Sequence, residues 1–198
     1  MSRRDGGSKG PGRVRITGGE HRGRVLSVPP QARPTEGRVR EALFSIWREP
    51  LEAGARVLDL FAGSGVVGLE AAGRGALRVL CVDRDRRSFP VLQSNRDRLG
   101  AALVELRTLD LPSGLEELAR SSGERFDLVF ADPPYRFSGH AALLAAVAPL
   151  LAPDGEVAIE HSVRASLPVE VASDPGPLVR TDQRRYGESA LSFYRSVG

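Results

Sequence analysis

Asp132, Pro133, Pro134 and Tyr135 follow directly on the apolar run FDLVFA, and their types suit the presentation of a flat amino group for alkylation. An aryl amine is a poor nucleophile because its lone pair is delocalised into the ring. It reacts when its two hydrogens are held so that the lone pair leaves the ring plane. The Asp132 carboxylate and the Pro133 carbonyl can each accept one of those hydrogens. The Pro-Pro step has no N–H and fixes φ, so the acceptors are aimed in advance. Tyr135 offers a face for a base to stack on, worth about 1–3 kcal/mol. A base in folded RNA must be unstacked or flipped to reach such a site. The competing reading is an ordinary strand-ending turn with a surface tyrosine.

A second group lies upstream. LDLFAGSGVVGLE carries Gly63, Gly65 and Gly68 as G-x-G-x-x-G between a strand and a helix. Such glycines permit a tight turn and close approach of a ligand to the backbone. Several nucleotide-binding folds share this loop, and two carboxylates narrow it. Asp59 stands at the strand end before the loop, where it suits a ligand amino group and would gain nothing from a pyrophosphate. Asp83 ends the next strand, where an acid can take both hydroxyls of a ribose. A ligand with a ribose, an amino acid moiety and no phosphate satisfies both, and S-adenosylmethionine is such a ligand. The bland readings are a turn cap for Asp59 and a solvated strand end for Asp83. Asp110 ends the third strand in TLDLP, where it would accept from an adenine amino group or cap the helix after Pro112.

The elements that must position these groups alternate. RVLDLFA, LRVLCVD, ALVELRTLD, RFDLVFAD and GEVAIEH read as strands, separated by helical segments at GVVGLEAAGRG, Arg86 to Leu99, LEELARSS and His140 to Leu151. Such alternation predicts a mostly parallel sheet covered on both faces. Leu178 to Tyr194 reads as two strands around YGES. Before the alternation, VRITGG and RGRVLSV predict a β-hairpin with an Arg-lined face. Thr35 is the predicted N-cap of a helix bearing Val39, Ala42, Leu43, Ile46 and Trp47, with Pro50 at its end. The expected organisation is a disordered tail over 1–12, a basic hairpin and helix over 13–50, and a catalytic domain over 51–198.

Charge is unevenly distributed. Residues 1–40 hold ten Lys and Arg against three acids, a net of +7, which leaves −4 for the rest of a chain whose total is +3. A basic arm on a mildly acidic body is the electrostatic outline of a nucleic-acid enzyme, or simply an Arg-rich solvated tail. Cys81 is the only cysteine, which excludes a disulfide framework and a cysteine-based zinc site. His21, His140 and His161 make no metal-ligand spacing, so no metal is expected. The N-terminus lacks the apolar stretch of a signal peptide, and Ala141 to Ala152 is too short to span a bilayer and contains Pro149. The expected location is the cytoplasm, with no membrane association.

The glycine loop with DPPY resembles the class I amino-methyltransferases, whose fold is Rossmann-like. RITGGEHRGRVL, RPTEGRVREALFSIW, LDLFAGSGVVGLEA, ADPPY and RRYGESALSFY resemble, more narrowly, the RsmD family of 16S ribosomal RNA guanine-N2 methyltransferases. The resemblance runs from about Arg13 to Tyr194. It implies a seven-stranded, mostly parallel α/β sheet with a C-terminal antiparallel hairpin. S-adenosylmethionine would lie around Asp59, Phe61, Ala62, Gly63, Ser64 and Gly65, with Gly68, Asp83, Arg84 and Asp110. Pro34, Thr35, Arg38 and Arg40 would close over the cofactor and RNA face, and Arg13, Arg15, Arg22, Arg24 and Arg33 would add RNA contacts. The family often carries an acid where this chain has Gly37, with Glu36 beside it. The implied partner is 16S rRNA within an assembled or assembling small subunit, met by a monomer. An adenine-N6 methyltransferase acting on DNA or RNA shares DPPY and is the runner-up. A nucleic-acid-binding module with a vestigial cofactor site is the third reading, against which the intact motif residues stand.

Overall fold

The computed structural model of the chain describes residues 12–30 and 35–197. Two short strands, β1 (Gly12–Arg15) and β2 (Val25–Val28), pair antiparallel, with Gly12 facing Val28 and Arg15 facing Val25. Gly12 thus opens a strand, and residues 1–11 of the expected tail lie outside the described residues. Helices α1 (Gly37–Ile46) and α2 (Arg48–Glu52) follow. Pro50 stands inside α2 rather than ending a helix; it falls in the first turn, where an N–H has no intrahelical partner to lose.

The alternating part runs β3 (Arg56–Leu60), α3 (Val66–Gly73), β4 (Arg78–Asp83), α4 (Phe89–Leu99), β5 (Val104–Thr108), α5 (Gly114–Ser122), β6 (Phe126–Ala131), α6 (His140–Val147) and β7 (Leu151–Ser162). The chain ends with β8 (Glu170–Val171), β9 (Leu178–Tyr186) and β10 (Ser189–Ser196). The sheet order is β5-β4-β3-β6-β7-β10-β9-β8, with β3 to β7 parallel and β8 to β10 antiparallel. Eight strands stand where seven were expected, because the two-residue β8 adds itself to the edge of the C-terminal hairpin. No helix among the described residues is long and apolar enough to cross a membrane.

Strand order reverses between β3 and β6. From β3 the chain winds outward through β4 to β5, then returns to the other side of β3 for β6 and β7. The loops leaving β3 and β6 therefore part and leave a crevice at the carboxyl ends of these strands, the usual ligand position in an open α/β sheet.

Two apolar layers cover the sheet. One joins Val57, Val79, Cys81, Phe130 and Ala158 to α1, α3, α4 and the N-terminal hairpin. The other joins Leu58, Leu60, Leu80, Val129 and Ile159 to α5 and α6. Side chains alternate along each strand. Alternation therefore carries three acids at or next to strand ends toward the first layer: Asp59 in β3 after Val57, Asp83 closing β4 after Cys81, and Asp132, the residue after β6, following Phe130. The hairpin belongs to that layer through Val14, Ile16, Leu26 and Val28.

Candidate active site

The loop after β3 begins with Phe61 at φ 59°, a strained left-handed conformation for a residue with a side chain. Ala62 N–H donates to the Val82 carbonyl at 3.1 Å, and Gly65 N–H to the Ala62 carbonyl at 2.7 Å. The turn is so tight that Gly65, at φ 73°, would place a Cβ 1.9 Å from Leu92 Cδ1. A Cβ on Gly68 would lie 2.4 Å from Cys81 Sγ. These two glycines are not among the residues that border the crevice. Gly65 lets α4 approach the loop, and Gly68 lets α3 lie against β4.

Gly68 has a second task. Its N–H donates to Asp59 Oδ2 at 2.9 Å and so orients that carboxylate under the loop. Asp59 is 2% exposed. Burial pushes its carboxyl up to about 7, opposed by the Gly68 N–H and assisted by the negative Asp83 nearby. Burial and the same Asp59 push the Cys81 thiol up, so it remains a protonated donor, Sγ lying 3.8 Å from Oδ2. Asp83 ties the loop to β4: Oδ2 accepts from Gly63 N–H and Oδ1 from Asp85 N–H, both at 2.8 Å. Each carboxylate oxygen has a second lone pair for a hydroxyl.

Across the crevice, β6 delivers Asp132. Thr35 is not a helix cap; the α1 cap is Glu36, without a side-chain cap bond, and the Thr35 hydroxyl instead donates to Asp132 Oδ2 at 3.1 Å. Pro133 is buried and Pro134 exposed. The Pro134 carbonyl accepts from Phe137 N–H at 2.7 Å, which turns the chain and leaves Tyr135 54% exposed at the rim. Phe137 in turn packs edge-on against Phe61 and His140, joining the two loops.

A cavity of about 380 Å³ lies between these walls. Thr35, Asp59, Phe61, Ala62, Gly63, Ser64, Asp83, Arg84, Asp132, Pro133, Pro134 and Tyr135 all border it. Asp110 does not; its side chain is exposed, and its carbonyl accepts the Gly114 N–H at 2.7 Å in the turn that leads into α5, whose N-cap is Ser113. The far wall was not foreseen. Glu160, His161 and Ser162 of β7 line it, with His140. His161 is held by the Ser192 hydroxyl at 2.8 Å and the Ser162 carbonyl at 2.9 Å, and burial lowers its pKa, as it lowers that of His140. The sequence did carry a signal for this wall, an acid and a histidine ending the apolar run GEVAI just as Asp59 and Asp83 end theirs.

The arginines expected on RNA divide. Arg13, Arg15, Arg22, Arg24 and Arg38 are exposed, while Arg33 and Pro34 lie outside the described residues. Arg40, expected on the RNA face, turns inward instead. It is 2% exposed, pairs with the fully buried Glu70 at 3.1 Å and donates to the Arg15 carbonyl at 2.9 Å. Its charge is consumed by Glu70, whose burial would otherwise be prohibitive. Glu70 also accepts from the Thr17 N–H, the Thr17 hydroxyl and Arg74, which clamps the hairpin to α3. Asn95 of α4 forms a second clamp: it exchanges two hydrogen bonds with the Ser27 backbone and donates to the Ser64 carbonyl at 2.9 Å.

The sequence profile of the family described as Conserved hypothetical protein 95 matches residues 14–195. The Bacillus subtilis protein named "Putative rRNA methyltransferase YlbH" is 32% identical over 93% of this chain and 100% of its own length. "Ribosomal RNA small subunit methyltransferase D" of Escherichia coli is 41% identical over 64% of this chain and 63% of its own length, so the match spans under two thirds of that relative. The solved structure of a hypothetical protein of Thermus thermophilus superposes with a TM-score of 0.78 at 37% identity, over 91% of this chain and 98% of that one. With its motifs, switch-point crevice and nearly full-length match, the chain belongs to the Conserved hypothetical protein 95 family, the RsmD family.

Proposed function

We propose that this chain transfers a methyl group from S-adenosylmethionine to the exocyclic N2 amino group of a guanine in small-subunit ribosomal RNA. The observation that carries the reading is one cavity with Asp59 and Asp83 on one wall and a Thr35-braced Asp132 on the other. The names of the relatives support the choice of ribosomal RNA.

The cavity fits the cofactor. A buried carboxylate at Asp59 suits a cationic amino group, whose arrival offsets the desolvation that pushes its pKa up. Asp83 keeps acceptor capacity for ribose hydroxyls beyond its two backbone bonds. Phe61, Ala62, Val66 and Val67 supply apolar walls between them. When bound, S-adenosylmethionine supplies an electrophilic methyl on a sulfonium whose departure needs no acid. The protein's task is then orientation. Asp132 and the Pro133 carbonyl accept the two amino hydrogens and turn the nitrogen lone pair out of the ring plane. The Thr35 hydroxyl fixes the Asp132 rotamer, and Tyr135 stacks the extruded base at the rim. The exposed arginines of residues 13–38 hold RNA phosphates. On this reading the chain acts as a monomer in the cytoplasm, on an assembled or assembling small subunit.

The test is transfer of labelled methyl from S-adenosylmethionine to naked rRNA, assembled small subunits and DNA, followed by nucleoside analysis. N2-methylguanosine is the expected product; N6-methyladenine would replace this reading with the runner-up. In the same assay, folded Asp132→Ala should bind cofactor normally and lose about 10²–10³ in single-turnover rate. Asp132→Asn should retain more, because acceptance of the hydrogen bond matters more than basicity.

A further inference from the structure

Glu160 borders the same cavity as Asp132. Strands β6 and β7 are parallel neighbours with Ala131 opposite Ile159, so the next residues, Asp132 and Glu160, follow abreast. Phe130 and Ala158 share one apolar layer, and alternation carries Asp132 and Glu160 to that same side. Glu160 is 6% exposed, yet it borders the cavity that holds Asp132. Burial of a carboxylate is costly, and the transfer chemistry above makes no use of this one.

We infer that Glu160 selects guanine by accepting the ring N1–H that lies next to the amino group held by Asp132. This rests on the reading of the site as a guanine-N2 methyltransferase. An ionised carboxylate only accepts hydrogen bonds. Guanine presents two adjacent kinds of donor on its pairing edge, the N2 amino group and N1–H. Adenine sets its N6 amino group beside the N1 lone pair, and cytosine sets its N4 amino group beside the N3 lone pair. Two acceptors abreast therefore match guanine and turn a lone pair of either other base against a carboxylate. A flipped base is read on this edge. Asp132 alone, able to grip any exocyclic amine, does not distinguish them; a second acceptor at the register position of Glu160 does.

The test replaces the target guanine, located by the wild-type product, with 2-aminopurine in the small-subunit rRNA. This analogue keeps the amino group at C2 but has a lone pair at N1. Wild-type kcat/KM should fall by about 100-fold or more, as for sites that lose a required substrate donor. Glu160→Gln carries an amide that can donate to that lone pair. Its guanine-to-2-aminopurine ratio should drop at least about tenfold below that of wild type, with calorimetric affinity for S-adenosylmethionine unchanged. A purely structural Glu160 would lower both substrates alike and leave the ratio intact, which overturns the inference. So does a wild-type enzyme that methylates 2-aminopurine as fast as guanine, a measurement that stands even when the variant does not fold. Wild-type product other than N2-methylguanosine on unsubstituted RNA would instead sink the underlying reading, and the inference with it.

Discussion

Asp59 shows how one residue's chemistry is set by its surroundings. Its carboxyl, ordinarily near 3.8, is pushed up to about 7, chiefly by burial. The folded value exceeds the unfolded one, so its contribution to stability is fully present below about 4 and is lost as pH rises through about 7. The ligand-free protein should therefore lose stability across that window, and Asp59→Asn should flatten the loss. A cationic ligand amino group reverses the balance and favours the carboxylate. Binding of S-adenosylmethionine at pH 6 should expel a proton from Asp59, measurable by calorimetry in buffers of different ionisation heat. The release should fade toward pH 8 and be absent in Asp59→Asn. Equal release in wild type and Asp59→Asn would separate this carboxylate from the ligand amino group.

Among the elements, the N-terminal hairpin combines a buried and an exposed role. Its apolar residues enter the core, while Glu70 and Asn95 pin its backbone to α3 and α4. Arg22 and Arg24 lie on its exposed turn, outside those clamps. Replacing both with Ala should weaken RNA binding and shallow the dependence of log K on log salt by about 1.8, near 0.9 per lost phosphate contact on a duplex. Cofactor affinity should not move. An unaltered slope would return these arginines to the solvated surface. Arg40 marks the limit of such reasoning from pattern. It sits in a basic run with Arg38, and nothing local distinguishes a phosphate contact from the partner of a buried glutamate.

At the scale of the molecule, residues 13–50 and 51–198 share one apolar layer, with Trp47 buried in it beside Val14, Ile16 and Leu43. Trp47 is the only tryptophan, and its indole N–H donates to Glu156 on β7 at 2.9 Å. Its fluorescence therefore reports the join between the N-terminal segment and the sheet. Unfolding in urea should give coincident midpoints by fluorescence and by far-UV circular dichroism, as one cooperative transition does. An earlier fluorescence midpoint would mean that the N-terminal segment detaches as a separate unit. The single layer also explains how Thr35, which precedes α1, reaches Asp132 at the end of β6.

The amino-acid sequence by itself determined the alternation of elements, the acids ending β3, β4 and β6, the glycine loop and DPPY. Those features are encoded over a few neighbouring residues, by side-chain period, turn chemistry and the backbone limits of glycine and proline. The tertiary structure alone decided which strand ends meet. Strand order placed β7 beside β6, and with it Glu160 and His161 on the cavity wall, far along the chain from Asp132. It took Gly65, Gly68 and Asp110 off that wall, and it drew Arg40 inward to Glu70. It also raised the Asp59 carboxyl. Burial and pairing depend on groups distant in sequence, whose adjacency is a property of the packed sheet and of no single segment.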